Sequence, residues 1–295
     1  MSKKNAFSLK AETRCDYHIS TKMKKIWKIE LDMLQQVIDI CKKHDLKYSL
    51  AGGSLIGAVR HKGFIPWDDD IDIVMLRADY DKFLRIAKKE LPGKYFVQYC
   101  ETEPLYERGH AQIRNSETTA IINTDIINGP NYNKGIFVDI FPLDNIPDNS
   151  FKKKLFVRRA ILKKVWLRGP TTSKLKLAYQ KLFGKQHLIN RYHKFVQKYN
   201  KKQTVQCGAL EFRPAEFKYE RKWIEEVVDA PFENITVSIS KYYDDWLKRQ
   251  YGDYMTIPKN KNGSVHGGVF FDTEKSYKEY ENQLEEICKK LEEEK

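Results

Sequence analysis

No two cysteines of this chain form a motif: the five, Cys15, Cys41, Cys100, Cys207 and Cys288, are odd in number, widely spaced and without a CxxC pair. That excludes a zinc ribbon or a disulfide framework as the basis of the fold and fits a reducing compartment. Equally missing is any run of about 18 uncharged apolar residues, so no membrane-spanning helix is expected. The N-terminus, MSKKNAFSLKAETRCDYH, lacks the apolar centre of a secretory signal, and a cytoplasmic protein is the expectation. Repeats and low-complexity linkers are absent as well. With 295 residues and 41% hydrophobic content, the chain can build a large core.

Acidic residues vanish from one stretch. Residues 151–202 hold 17 Lys and Arg and no Asp or Glu, so against an overall formal charge of +13 the rest of the chain is net −4. Drawn as a helix, FKKKLFVRRAILKKVWLR (Phe151 to Arg168) gathers Phe151, Leu155, Ile161, Leu162, Val165 and Trp166 on one side, with cations over most of the rest. Such a segment suits an anionic membrane surface, or a core-packed helix with a solvated basic face.

Periodicity supplies the elements. Lys22 to His44 reads as an amphipathic helix, with Ile26, Ile29, Leu34, Val37 and Ile40 at helical spacing. YSLAGG reads as a strand ending in glycines, SLIGAVRH as a helix start, and DIDIVML as a strand. A helix from about Ala78 to Leu91 follows, then the strand KYFVQYC, a hairpin of GHAQIRN and TTAIIN around Ser116 and Glu117, and the strand Gly135 to Asp144, closed by Pro142. After that only helices are expected, at about 150–168, 173–184, 187–202, 240–250 and 274–293. Helices following a β-rich segment argue for an α+β fold. Three segments are expected: a helical one over 1–48 packed on the core, a catalytic core over 49–145, and a mainly helical acceptor- or membrane-facing region over 146–295.

The chemistry concentrates in GFIPWDDDIDIVML. In a strand, Asp70 and Asp72 present two carboxylates on one face while Ile71 and Ile73 enter the core. Asp139, inside IFVDIF, is a third carboxylate at mid-strand. Three such groups suit magnesium, which takes oxygen ligands and keeps positions open for phosphate. The alternative is that Asp68 and Asp69 cap a turn and Asp70 and Asp72 lie on a solvated edge. Upstream, AGGSLIG offers Gly52 and Gly53 for close backbone approach, with Ser54 at a helix start whose free N–H groups attract phosphate.

Together, AGGSLIGAVRHKGFIPWDDDIDIVMLRADYDKF and GIFVDIFPLDNIP resemble the LicD family of phosphocholine transferases, within the nucleotidyltransferase superfamily and related to the fukutin-type phosphotransferases. The resemblance spans about residues 30–145, echoes in RQYGDYMTIP (Arg249 to Pro258), and does not extend to the Lys-rich segment 151–202. It implies a nucleotidyltransferase-like mixed sheet flanked by helices, with a helical basic C-terminal portion. It implies magnesium-dependent transfer, with manganese as a substitute, of phosphocholine or a related phospho-alcohol. The donor would be CDP-choline or a similar CDP-alcohol, and the acceptor a hydroxyl of a cell-surface glycan (teichoic acid, lipopolysaccharide or capsule) or its lipid-linked precursor.

On this resemblance Asp70 and Asp72 are metal ligands, and Asp139 is the third, as ligand or base. Gly52, Gly53 and Ser54 hold donor phosphates, with Arg60 and Arg114 as supporting cations. Trp67, with Tyr251 or Tyr254, supplies ring faces for a quaternary ammonium. His61 lies near this constellation, and His266 in SVHGG joins the substrate-binding residues. A cytoplasmic enzyme attached peripherally to the inner face of the membrane is implied, and nucleic acid is not an expected partner. Two other readings use the same residues: a nucleotidyltransferase working with a nucleoside triphosphate on RNA or a small molecule, and a non-catalytic membrane-associated scaffold.

Overall fold

The structure, a computed structural model, describes residues 6–122, 132–168, 174–213, 218–259, 261 and 269–293. A small hairpin, β1 (Glu12–Arg14) and β2 (Tyr17–Ile19), leads into the long helix α1 (Thr21–His44). Ser20 caps α1, its hydroxyl accepting from the Met23 amide at 3.1 Å, and Lys42, Lys43 and His44 sit at the negative end of the helix dipole. The buried stripe of α1 carries Ile26, Trp27, Leu34, Val37 and Cys41, and in its middle an acid, Glu30. β3 (Ser49–Leu50) then passes into α2 (Gly52–Ile56), which continues as a π-helical turn to His61.

The main sheet has seven strands and mixed directions. β4 (Asp72–Leu76) pairs with β3 on one edge and runs straight into α3 (Arg77–Glu90). β5 (Tyr95–Gln98) pairs with β6 (Ala111–Asn115), and β6 pairs with the long strand β8 (Ile136–Ile146). The expected hairpin of β6 with β7 (Thr119–Ile122) does not form. Both edges of β6 are occupied, by β5 and β8, so β7 turns away and pairs elsewhere.

β8 also runs past Pro142, where the sequence suggested an end. One edge of β8 is parallel to β4, from Asp72 beside Asp139 to Leu76 beside Leu143. Its other edge pairs with β6 only as far as Ile140 and resumes at Asp144 with a later strand, Gln206–Gly208. Pro142 falls in that gap, where a missing N–H costs no ladder bond.

Beyond Ile146 the helices α4 (Ser150–Arg168), α5 (Lys174–Phe183) and α6 (Lys185–Val196) appear as expected. α6 stops short of residue 202 because the Asn200 side chain bonds to β8, donating to Asp144 at 2.6 Å and accepting from the Asn145 amide at 2.8 Å. The expectation of helices alone is corrected here. β9 (Gln206–Gly208) and β10 (Lys218–Glu220) extend the main sheet, and after a short helix α7 (Lys222–Glu225) β11 (Val227–Phe232) and β12 (Ile235–Ser240) form a hairpin against β3. α8 (Tyr243–Tyr251) follows, and β13 (Val269–Asp272) pairs with β7. The terminal α-helix α9 (Leu284–Glu293) starts later than expected, after a 3-10 turn. Asp272 holds the chain in a turn by accepting from the amides of Glu274 and Lys275.

The main core packs α1 and α3 against the sheet and includes Trp223, Phe232, Val237 and Trp246 from the C-terminal half. A second cluster joins Phe156, Ala160 and Leu167 of α4 to Leu188, Ile189 and Tyr192 of α6. No described helix is long and apolar enough to cross a membrane.

Candidate active site

A cavity of about 390 Å³ opens at the start of β4 and is lined by Gly52, Gly53, Trp67, Asp68, Asp70, Asp72 and Asp139. Phe141, Phe212, Arg213, Tyr219 and Tyr251 close its other walls. Topology explains the meeting: Asp72 and Asp139 are register neighbours on parallel strands, so residues 67 apart in sequence stand side by side. Asp70 lies just before β4 rather than within it, as the strand had been expected to include. The ladder with β8 begins at Asp72, while the Asp70 carbonyl faces the Ser54 hydroxyl at 3.5 Å.

The glycines have a defined task. Gly52 sits at φ +56°, and a Cβ there would lie 2.9 Å from Asp72 Oδ2; a Cβ on Gly53 would lie 2.5 Å from Asp68 Oδ2. Two side chains are omitted so that two carboxylates can come close to the turn. Ser54 is buried, and its hydroxyl accepts from the Asp72 amide at 2.9 Å; it splices the glycine turn to β4 and does not line the cavity.

Charge in the cavity is unbalanced. Asp68, Asp69 and Asp70 each offer an oxygen within 4.8 Å of the others, the tightest acidic grouping among the described residues. Burial, then Asp70, Asp139 and Asp68, push the Asp72 carboxyl well above its ordinary pKa. Burial, then Asp70 and Asp69, do the same to Asp68. Behind them Glu30 is buried and raised too, by burial and then by Asp70, Asp69, Asp68 and Asp139, and its Oε2 has no hydrogen-bond partner among the described residues.

Asp139 is the exception. Burial alone would raise its carboxyl, but His110 beside it at 3.2 Å and the Gln112 amide, donating at 2.6 Å, outweigh this and hold it below its ordinary value. Both partners engage Oδ1. This donor set fits a hard divalent cation: oxygen ligands in excess, with two carboxyl pKa values raised by burial and then by repulsion, which a cation would relieve.

Among the expected binding residues, Gly52, Gly53 and Trp67 line the cavity, while Ser54, Arg60, Arg114 and Tyr254 do not. Arg60 donates to the Tyr254 carbonyl at 2.5 Å and to His61 at 2.9 Å, tying the turn after α2 to the chain after α8. Tyr254 is buried, with its hydroxyl on Asp244 at 2.9 Å; of the two tyrosines considered, Tyr251 lines the cavity. Arg114 is fully buried and donates to Gln98, Gly135 and Gln112, and it connects to the site through Gln112, which donates to Asp139. His61 packs edge-on to Trp67, and its pKa is lowered to about 4, first by burial and then by Arg60 and Arg14. His266 lies outside the described residues.

Sequence reasoning missed Asp68 as a cavity residue, Glu30, His110, Gln112 and Arg213, which is the one cation among the described residues that line the cavity. Glu30 had a signal, an acid in the apolar stripe of α1. Arg213 had none.

The segments that carry these residues are similar to known proteins. A family model described as the nucleotidyltransferase domain of LicD, FKTN and FKRP matches residues 45–168, which include the glycine turn, the aspartate run and Asp139. The lipopolysaccharide cholinephosphotransferase LicD of Haemophilus influenzae is 30% identical over 251 residues, covering 80% of this chain and 92% of that protein. Human ribitol 5-phosphate transferase FKRP is 31% identical over 86 residues, covering 24% of this chain and 17% of that protein. A similarity that runs through nearly all of one transferase, and includes every carboxylate of the cavity, places this chain in the LicD family.

Proposed function

We propose that this protein transfers a phospho-alcohol, phosphocholine first among the candidates, from a CDP-linked donor to a glycan hydroxyl. The observation that carries the reading is the meeting in one cavity of Asp68, Asp70, Asp72 and Asp139 with a single lining cation and with ring faces. The named activities of the relatives, cholinephosphotransferase and ribitol 5-phosphate transferase, support transfer of a phosphate that carries an alcohol.

In the proposed reaction the acceptor oxygen attacks the phosphorus bearing the alcohol. The bond from that phosphorus to the oxygen bridging it to CMP breaks, CMP leaves, and a carboxylate of the cluster takes the acceptor proton. Asp70 and Asp72, with Asp68 and Asp139 beside them, would hold magnesium, which when bound supplies neutralisation of the diphosphate and of the leaving oxygen. The depressed pKa of Asp139 suits a ligand better than a base. Arg213 would meet the donor phosphates. Trp67 and Tyr251 would offer ring faces to a quaternary ammonium.

A donor panel tests this. CDP-choline, CDP-ethanolamine, CDP-glycerol, CDP-ribitol and the nucleoside triphosphates are each incubated with the protein and magnesium, with mass-spectrometric detection of products. CMP from one CDP-alcohol is the expected result. Pyrophosphate from a triphosphate, with no CMP from any CDP-alcohol, would replace this reading with nucleotidyl transfer.

A further inference from the structure

The helix α4 has two apolar faces. Phe156, Val157, Ala160 and Leu167 point inward and are buried. On the opposite side Phe151, Leu155, Leu162, Val165 and Trp166 recur with helical spacing and are exposed. The sequence suggested a single apolar side; folding uses the inner residues for the core and leaves the outer stripe uncovered. Leu175, Leu182 and Phe183 of α5 are exposed as well. Tyr179 joins the two stripes, its ring 5.3 Å from Trp166 and 4.7 Å from Phe183. Apolar side chains left this open, Phe151 at 77%, Leu162 at 68%, Leu175 at 75% and Leu182 at 73% exposure, cost free energy in water and call for a partner.

We propose that this outer face of α4 and α5 docks on an anionic lipid bilayer. Charge selects the partner. Residues 151–202 carry 17 cations and no acid, so a second copy of the chain would set like charge against like. Nucleic acid would satisfy the cations and leave the leucines in water. An anionic bilayer accommodates both, with apolar side chains in the acyl boundary, Trp166 at the interface and Lys152, Lys154, Arg158 and Arg159 among the headgroups. All four of those cations are exposed. Lys153, by contrast, is engaged with Gln206 at 2.9 Å. Because no described helix can span a bilayer, the contact is one of helices lying on the surface. The inference stands apart from the reaction proposed above, since none of these residues lines the cavity.

Co-sedimentation of the full chain with vesicles tests it, using phosphatidylcholine alone or mixed with phosphatidylglycerol across a salt series. The protein should bind the mixed vesicles and not the neutral ones, and release as salt rises. Replacing Lys152, Lys154, Arg158 and Arg159 together by Gln should weaken binding by roughly tenfold or more and flatten the salt dependence. Replacing Phe151, Leu162, Leu175 and Leu182 together by Ser should weaken it at every salt concentration and leave the salt slope in place. Thermal melting of each variant checks the fold. Should a fourfold variant melt early, the single changes Phe151→Ser and Leu162→Ser carry the same test. Failure of the wild type to bind anionic vesicles, equal binding to neutral ones, or unchanged binding by folded variants would overturn the proposal. So would retention by single-stranded RNA alone.

Discussion

Replacing Asp72 by Asn removes one negative charge and almost no volume from a position where burial and three neighbouring carboxylates already oppose ionisation. Turnover should fall by more than about a hundredfold, the scale seen when a principal electrostatic group is lost. Without added magnesium the thermal midpoint should hold or rise, because repulsion is relieved. The two tyrosines separate in the same way. Tyr251→Ala should raise the KM for a choline donor several-fold, whereas Tyr254→Phe, which loses only the bond to Asp244, should leave KM alone and cost about 1 kcal/mol of stability in denaturant titration. That Asp72 and Asp139 face one cavity with the glycines was legible because strand alternation and turn chemistry act over a few residues, whereas Asp70 reaches it from the segment before β4 and not from the strand alternation expected. Arg213 and the choice of Tyr251 were not legible, since only the path of the chain after β9 brings them to β4.

At the scale of elements, the glycine turn and β4 are built against each other. Gly53→Ala would place a methyl 2.5 Å from Asp68 Oδ2, so magnesium affinity measured by calorimetry should weaken while the circular dichroism stays native. Unchanged affinity would remove Asp68 from the site. At the far end of β4, Arg77 reaches Asp144 of β8 through two bonds of 2.8 Å and Glu211 at 3.1 Å, all buried. Asp144→Ala should cost about 3 kcal/mol in denaturant unfolding, because the buried guanidinium loses its two-bond partner and keeps only the Glu211 and Asp81 carboxylates. The elements with a clear period, α1, α3, β4 and β8, were readable. β9 and β10 have three residues each, too few for alternation to show, and the pairing of β7 with β13 joins segments that no local pattern connects.

Across the whole molecule, acid and base are kept apart: carboxylates crowd one cavity while cations cover α4 to α6. That crowding sets a pH dependence. Asp68, Asp72 and Glu30 have raised carboxyl pKa values in the folded chain, so between their ordinary pKa values near 4 and their folded ones the folded state binds more protons. Stability from these groups therefore falls as pH rises through that window. On the proposed function magnesium would compete with the same protons, and its stabilising shift in thermal midpoint should be larger at about pH 7.5 than at about pH 5.5. An α+β chain was evident from the order of its segments. The return of residues 206–254 to the main core was not, because that return is long-range packing, visible only as scattered aromatics in the sequence.

Magnesium-dependent release of CMP from CDP-choline, followed in parallel for the wild type and for Asp72→Asn over a magnesium titration, tests the central claim most directly. The account predicts saturable release by the wild type, none without the metal, and a more than hundredfold loss in the variant at every magnesium concentration. Equal release by both proteins, or release indifferent to magnesium, would contradict it.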